Sequence, residues 1–294
     1  MPFNVKVIAS LVVSMVFWAF SFVWIKQAFE SFNPLSVIWL RLVVSSIMMF
    51  TVLSLMKRLV RIHRADIKWF LLLAFFEPFL YFMGESFGLK YVPSTMGAVI
   101  VSTIPLFAPI ADRIFFKARL TWINLAGISF SFIGVLLIIL EDDFSLKAPI
   151  HGILLVFMAV FAAMGYSVVL KKVPARYNAV SIITFQNIIG IFYFFPLFVF
   201  YDWHHLTHTV ITTNAVLAMV QLSIFASSLA FIFFTYGMRK VGITKANVFV
   251  NLIPVFTAVF AWMILGDPLT VRKVIGIAVV IGGLFVSQIK MRRI

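Results

Sequence analysis

Ten apolar runs of about 18 to 23 residues follow one another along the chain, with short polar connections between them. About 20 apolar helical residues span the roughly 30 Å hydrocarbon core of a bilayer, where only helices and closed barrels satisfy their own backbone hydrogen bonds. The chain is also 63% hydrophobic and only 12% charged, which is more apolar than a soluble fold requires. The sequence therefore predicts an all-α integral membrane protein with ten transmembrane helices at 7–26, 34–56, 67–87, 95–116, 121–140, 151–171, 179–201, 214–236, 246–265 and 272–289.

The second half of the chain repeats the first. An ungapped shift of 149 residues aligns Tyr81 to Gly134 with a later segment at 14 identities in 54 positions, and several identities are Gly or Pro, which determine backbone geometry. The earlier helices match at a shift of 145 residues, so the register changes near the connection at 61–64. Corresponding helices of the two copies are five helices apart along the chain. Because five is odd, corresponding helices cross the membrane in opposite directions. The sequence predicts two inverted five-helix repeats, 1–145 and 146–294, in one membrane-embedded unit, an arrangement typical of alternating-access transporters.

The basic residues predict the orientation of the chain in the membrane. Lys and Arg collect in cytoplasmic loops of membrane proteins. With the N-terminus inside, 17 of the 24 basic residues fall in inner connections or the termini, and only five fall outside. Both termini are therefore predicted to be cytoplasmic. The net charge of +14 is explained by this topology, so no nucleic-acid partner is expected.

Short motifs recur in the same order in both halves. The first half opens with Trp18-Ala19-Phe20-Ser21-Phe22, followed by Lys26, Pro34 and Arg41; Phe87-Gly88, Pro105-Leu106-Phe107 and Leu120-Thr121 then match Tyr236-Gly237, Pro254-Val255-Phe256 and Leu269-Thr270. In order and spacing these motifs resemble the EamA-type members of the drug/metabolite transporter superfamily. The resemblance implies ten helices in two inverted repeats around a central cavity, and export or exchange of small metabolites, often amino acids.

Three residues of the third predicted span are the first candidates for a binding or coupling site. Glu77 lies near the middle of that span, and Tyr81 and Glu85 follow at steps of four. Steps of four keep the side chains of a helix within about 80° on one face. A carboxylate at membrane depth is costly, so Glu77 either takes up a proton or binds a cationic substrate group, or it pairs with a neighbouring helix beside Pro78.

Arg41 is a fourth ionisable candidate, about two turns from the outer end of the second predicted span. Its guanidinium holds a substrate carboxylate under one interpretation and neutralises Glu85 or Glu77 under the other. The sequence favours the ion pair and does not distinguish between the two acids.

Polar and aromatic residues inside other spans complete the candidate set. Amides within a membrane either line a cavity or join helices, and aromatic rings either bind a cation or face lipid. Pro254 follows the last amides and is expected to free a backbone carbonyl near the middle of its helix. The candidates are Gln186, Asn187, Asn247, Asn251, Trp18 and Tyr166.

These patterns predict a secondary active or facilitative transporter, an exporter of amino acids or related amphipathic small molecules, in a bacterial inner membrane. Its partners are the lipid bilayer and a small-molecule substrate; proton coupling and a homodimer both remain open. The alternative is an intramembrane enzyme acting on a lipid-linked substrate, for which clustered carboxylates or histidines are expected. All five His lie in connections or at a helix end and Cys is absent, so no cofactor or metal site is predicted.

Overall fold

The computed structural model describes residues 5–55, 57, 60–107, 122–140, 146–174, 176–241, 246 and 248–287. Within these ranges the chain is helical and forms no strand, apart from an isolated bridge between Leu140 and Leu146. Its α-helices are α1 (Val5–Ala28), α2 (Pro34–Leu55), α3 (Ile67–Ala74), α4 (Tyr81–Tyr91), α5 (Ser94–Val101), α6 (Trp122–Ile139), α7 (Ile150–Leu170), α8 (Ala179–Leu197), α9 (Trp203–His208), α10 (Thr213–Gln221), α11 (Ala230–Val241), α12 (Ile253–Phe260) and α13 (Val271–Ser287).

Among the described residues, six helical stretches are long and apolar enough to cross a membrane: Val5–Ala28, Pro34–Leu55, Arg64–Tyr91, Ile150–Leu170, Ala179–His208 and Thr213–Met238. Three shorter apolar helices accompany them, Ser94–Phe107, Leu125–Ile138 and Phe249–Leu265. This architecture is that of a multi-pass membrane protein. The full count of ten helices and the cytoplasmic position of the termini stay predictions.

Two spans run further than the sequence predicts. The third continues past residue 87 to Tyr91, where Val92 turns to an extended conformation. Val92 precedes Pro93, and a residue before proline is disfavoured in the α conformation. The seventh continues past residue 201 to His208 because a wider π-type turn, Phe198–Asp202, joins α8 to α9 without a break.

The third span is interrupted at its candidate acid. Segment Phe75–Leu80 joins α3 to α4, and within it Glu77 has an extended backbone (φ −145°, ψ 116°). Pro78 follows, and proline removes a backbone donor from a helix. Two glycines of neighbouring helices make room for the bend: a Cβ on Gly190 would lie 2.4 Å from Pro78 Cγ, and one on Gly165 would lie 2.3 Å from Phe76.

Pro254 does not interrupt a helix, contrary to the sequence-based expectation. It lies in the first turn of α12, directly after the 3₁₀ segment Val248–Leu252. The first residues of a helix need no intrahelical donor, so a proline there leaves the hydrogen-bond pattern intact.

The main helix contacts join the first half of the chain to the second. Helix α4 packs on α7, α1 on α11, α2 on α8, α5 on α12 and α6 on α13. Under the 145- and 149-residue shifts, the α4–α7 contact becomes the α1–α11 contact, while the α2–α8 and α6–α13 pairs each map onto themselves.

Small residues make equivalent contacts in the two halves of the chain. A Cβ on Gly134 would lie 2.7 Å from Val280 N and 2.8 Å from Gly276 O, and one on Gly283 would lie 2.4 Å from Ser131 N and 2.7 Å from Gly127 O. Each of these atoms has its counterpart 149 residues away. Likewise a Cβ on Gly88 would lie 2.5 Å from Val156 Cγ2, and one on Gly237 would lie 2.5 Å from Leu11 Cδ2, so both contacts leave no room for a larger side chain.

A buried aspartate joins the two halves at each end of the helix bundle. The first contact lies on the side predicted to be cytoplasmic and is termed the inner clasp. In it, the Asp66 carboxylate accepts hydrogen bonds from Tyr177 Oη at 2.6 Å and from Arg176. In the second, the outer clasp, the Asp202 carboxylate accepts from Ser36 N at 2.8 Å and Ser36 Oγ at 3.0 Å. Ser36 lies in the first turn of α2, where the helix dipole favours a negative charge.

Candidate functional site

A cavity of about 120 Å³ lies between the two halves of the chain. Side chains from α1, α2, the third span and α5 of the first half line it together with side chains from α7, α11 and the start of α12 of the second half. The volume limits an occupant in this conformation to a small molecule.

The charged wall of the cavity belongs to the first half and consists of Arg41, Glu77, Tyr81 and Glu85. Arg41 Nη1 lies 3.6 Å from Glu85 Oε2, and Tyr81 Oη donates to Glu85 Oε1 at 3.2 Å. The Arg41 guanidinium also lies over the Phe82 ring, 3.9 Å from its centroid, in a cation–π arrangement. Of the two acids that the sequence left open for Arg41, the structure pairs it with Glu85.

A buried polar network holds Arg41 from behind. Its Nε donates to Ser227 Oγ at 2.9 Å, and the Ser227 carbonyl accepts from Ser45 Oγ at 3.3 Å. Asn187 Nδ2 donates to Ser45 Oγ at 3.0 Å, and Ser45 and Ser228 share a further hydrogen bond of 2.8 Å. The network ties α2 and α8 to the Leu222–Leu229 segment and fixes the orientation of the guanidinium.

Glu77 is the second carboxylate of the cavity. The residue is only 7% exposed, and its side chain makes no hydrogen bond or ion pair with any residue that the structure describes. The extended backbone at this position takes Glu77 out of the helical register of Tyr81 and Glu85, yet all three line the same cavity.

A second wall of the cavity is aromatic and comes largely from the second half. Trp18 packs edge-on against Phe231 with ring centroids 5.1 Å apart, and it contacts Phe234 at 5.0 Å. Tyr166 of α7 and Met238 of α11 also line the cavity. Such a surface takes up apolar groups, and its ring faces attract cations.

The cavity has a symmetric frame and asymmetric chemistry. Several of its lining residues are counterparts under the internal repeat, such as Phe82 with Phe231, Val101 with Val250 and Ile104 with Ile253, each pair 149 residues apart. Four ionisable residues have no ionisable counterparts: Arg41, Glu77, Tyr81 and Glu85 correspond to Gln186, Ala226, Ala230 and Phe234.

The structure brings six of the ten sequence candidates to the cavity: Trp18, Arg41, Glu77, Tyr81, Glu85 and Tyr166. Asn187 is buried in the network behind Arg41, and Gln186 and Asn251 are buried but are not among the residues that line the cavity. Asn247 lies outside the described residues.

The residues of the site that sequence reasoning missed include Ser227, Phe231 and Phe234. The repeat itself carried a signal for the two aromatic ones, because Phe231 is the counterpart of Phe82 and Phe234 that of Glu85. Among the described residues, no group of three His, Cys, Asp or Glu side chains is placed to hold a metal ion.

Comparison with known proteins agrees with this architecture. The model of the EamA-like transporter family matches the chain twice, over residues 5–140 and 150–288. A transporter of Archaeoglobus fulgidus is 27% identical over 276 residues, which cover 94% of this chain and 96% of the relative, and the transporter YdfC of Bacillus subtilis is 25% identical over 293 residues, covering 99% and 93%.

Two further proteins match this chain, one by sequence and one by fold. An S-adenosylmethionine/S-adenosylhomocysteine transporter of Chlamydia trachomatis is 25% identical over 264 residues, covering 85% of this chain and 79% of that protein. A solved crystal structure superposes with a TM-score of 0.72 over 97% of this chain and 96% of its own, at 15% identity, and so shares the fold. Because the family model covers nearly the whole sequence in two consecutive matches, this chain belongs to the EamA-like transporter family.

Proposed function

We propose that this chain is a secondary transporter that carries a small amphipathic molecule across the membrane by alternating access between two inverted repeats, residues 1–145 and 146–294. The observation that carries the proposal is the cavity between the two halves, whose frame is built from repeat counterparts such as Phe82 and Phe231. A site on the axis that relates two inverted repeats faces either side of the membrane when the repeats exchange conformations.

The packing of the helices supports the same mechanism. The reciprocal contacts of Gly134 with α13 and of Gly283 with α6 are those that an approximate two-fold axis generates. The two halves can then exchange their conformations, and the packings before and after the exchange have comparable energy.

The substrate is an amino acid or a related amphipathic molecule, and the direction is export through an inner membrane. The resemblance of the sequence motifs supports this assignment, as does the relative named for S-adenosylmethionine, which is an amino-acid derivative. The mixture of charged and aromatic walls suits a molecule with a polar head and an apolar body.

Reconstitution tests the function directly. Purified protein in liposomes is expected to accumulate one class of radiolabelled compound from a panel of amino acids, amines and nucleosides, and this uptake is expected to saturate. Uptake is measured both with and without a pH gradient. Liposomes that contain the Arg41→Ala, Glu77→Ala double variant serve as the matched control. Failure of every compound to move would contradict transport by this cavity.

The two clasps offer a test of alternating access, because the protein has no native cysteine. A single cysteine replaces Ser167, which lines the cavity, and is labelled with a membrane-impermeant thiol reagent. Tyr177→Phe removes a hydroxyl worth about 1 kcal/mol from the inner clasp, so labelling from the predicted cytoplasmic side is expected to rise about fivefold. Asp202→Ala is expected to raise labelling from the opposite side.

The exposed Tyr201→Phe is the matched control for the inner clasp and is expected to leave labelling unchanged. If both clasp variants increase labelling from the same side, the clasps do not control opposite faces.

A further inference from the structure

We propose that the cavity binds a molecule with a single cationic nitrogen and an apolar body, an amine that lacks a carboxylate, with its ammonium group on Glu77. This assignment rests on the transport function proposed above and specifies its substrate class. Four observations lead to it: the charges of the cavity, the position of Arg41, the state of Glu77 and the composition of the second wall.

Among the described residues that line the cavity, carboxyl groups outnumber cationic groups. Their ionisable acids and bases are two carboxylates, Glu77 and Glu85, and one guanidinium, Arg41. Ionised together they leave one negative charge without a cation. An uncompensated charge at membrane depth is costly, and a cationic ligand removes that cost.

Arg41 already has an ionic partner, although its Nη1 makes no hydrogen bond to a described residue. Its guanidinium lies 3.6 Å from the Glu85 carboxylate and 3.9 Å from the Phe82 ring centroid, and its Nε donates to Ser227. A substrate carboxylate at Arg41 would compete with Glu85 and leave that acid, which is 4% exposed, without its cation. Removing one partner of a buried pair is strongly unfavourable, so the site disfavours a second carboxylate.

Glu77, in contrast to Arg41, can bind a substrate group without losing a partner. It is buried at the edge of the cavity and bonded to no described residue, so its carboxylate oxygens are available as acceptors. An ammonium group supplies three donors and no acceptor, which matches such a carboxylate and not a neutral amide. The opposite charge also keeps the acid ionised.

The second wall favours an apolar body. The positions that correspond to Glu77 and Glu85 in the second half hold Ala226 and Phe234, and Phe234 packs with Phe231 around Trp18. A charged group at the far end of a substrate would be placed against these rings without a partner. A ring or a branched alkyl group would be buried there favourably.

The test uses matched compounds that differ only in their charged groups. The aromatic series is phenethylamine, L-phenylalanine and 3-phenylpropionate; the branched aliphatic series is 3-methylbutylamine, L-leucine and 4-methylpentanoate. Saturable uptake of each radiolabelled compound is measured in proteoliposomes of the wild-type protein. Binding to the detergent-solubilised protein is followed in parallel by fluorescence of the cavity residue Trp18 in a variant that lacks the other six tryptophans.

The amine of each series is expected to bind and be transported at least tenfold better than its amino acid, and the carboxylate is expected not to bind. Amino acids handled as well as or better than the amines would overturn the amine assignment and leave the transport function standing. If none of the six compounds binds or moves, the amine assignment is wrong; if the wider amino-acid, amine and nucleoside panel also stays outside, the transport function is wrong as well.

Discussion

Glu77→Gln is expected to reduce saturable transport by at least about tenfold and to leave the fold intact. The substitution keeps the volume of the side chain and removes only its charge. A hydrogen bond to a charged group contributes roughly 1.5–3 kcal/mol, and about 1.4 kcal/mol corresponds to a factor of ten in affinity. The measurement is the initial rate of uptake of the best compound of the panel in proteoliposomes.

The same substitution is expected to leave the thermal stability of the protein in detergent unchanged or to raise it. Glu77 is buried without an ionic partner among the described residues, and a neutral amide in its place is not penalised for lost hydration of a charge. Lower activity with unchanged or higher stability distinguishes a binding role from a structural one. The exposed Glu30→Gln is the matched control, and full transport by Glu77→Gln would remove this acid from the mechanism.

Gly283→Ala is expected to destabilise the protein by about 1–3 kcal/mol, whereas Gly282→Ala has little effect or stabilises slightly. The two residues are consecutive in α13 but face different surroundings. A Cβ on Gly283 would lie 2.4 Å from Ser131 N and 2.7 Å from Gly127 O, so α6 and α13 must separate. A Cβ on Gly282 would meet only a ring atom of Phe130 at 3.7 Å, which is ordinary contact.

The measurement is the apparent unfolding temperature in detergent, together with the yield of monodisperse protein. Gly134→Ala extends the test, because Gly134 makes the reciprocal contact on α6 and is expected to cause a loss of similar size. Equal stability of the Gly282 and Gly283 variants would contradict the close approach of α6 and α13.

Much of the architecture follows from sequence because a bilayer restricts the chain so strongly. Apolar runs long enough to span lipid form helices in water-free surroundings, so their approximate bounds are readable in one dimension. The candidate acids and the arginine are equally readable, since ionisable residues within such runs are few and face protein or a cavity. All three of these candidates, Arg41, Glu77 and Glu85, line the cavity of the structure.

The partners of these residues were not readable from sequence. Glu77 and Glu85 lie eight positions apart and were equally eligible for Arg41, and the pairing with Glu85 depends on how α2 packs against α4. Gln186 and Asn187 are adjacent, yet only Asn187 joins the network of Ser45 and Ser227, because consecutive residues of a helix point in directions about 100° apart.

The sequence by itself determined the helical membrane architecture, the internal repeat and the small set of ionisable residues at membrane depth, because these depend on local hydropathy and on comparison of the chain with itself. Only the tertiary structure decided that Glu85 takes Arg41 and Glu77 is left with no bonded partner in the described part of the chain. It also decided that Trp18 packs with Phe231 and Phe234 of the second half as an aromatic surface of the same cavity. Those outcomes depend on distances between segments far apart in sequence, which the packing of the helices sets and which hydropathy does not encode.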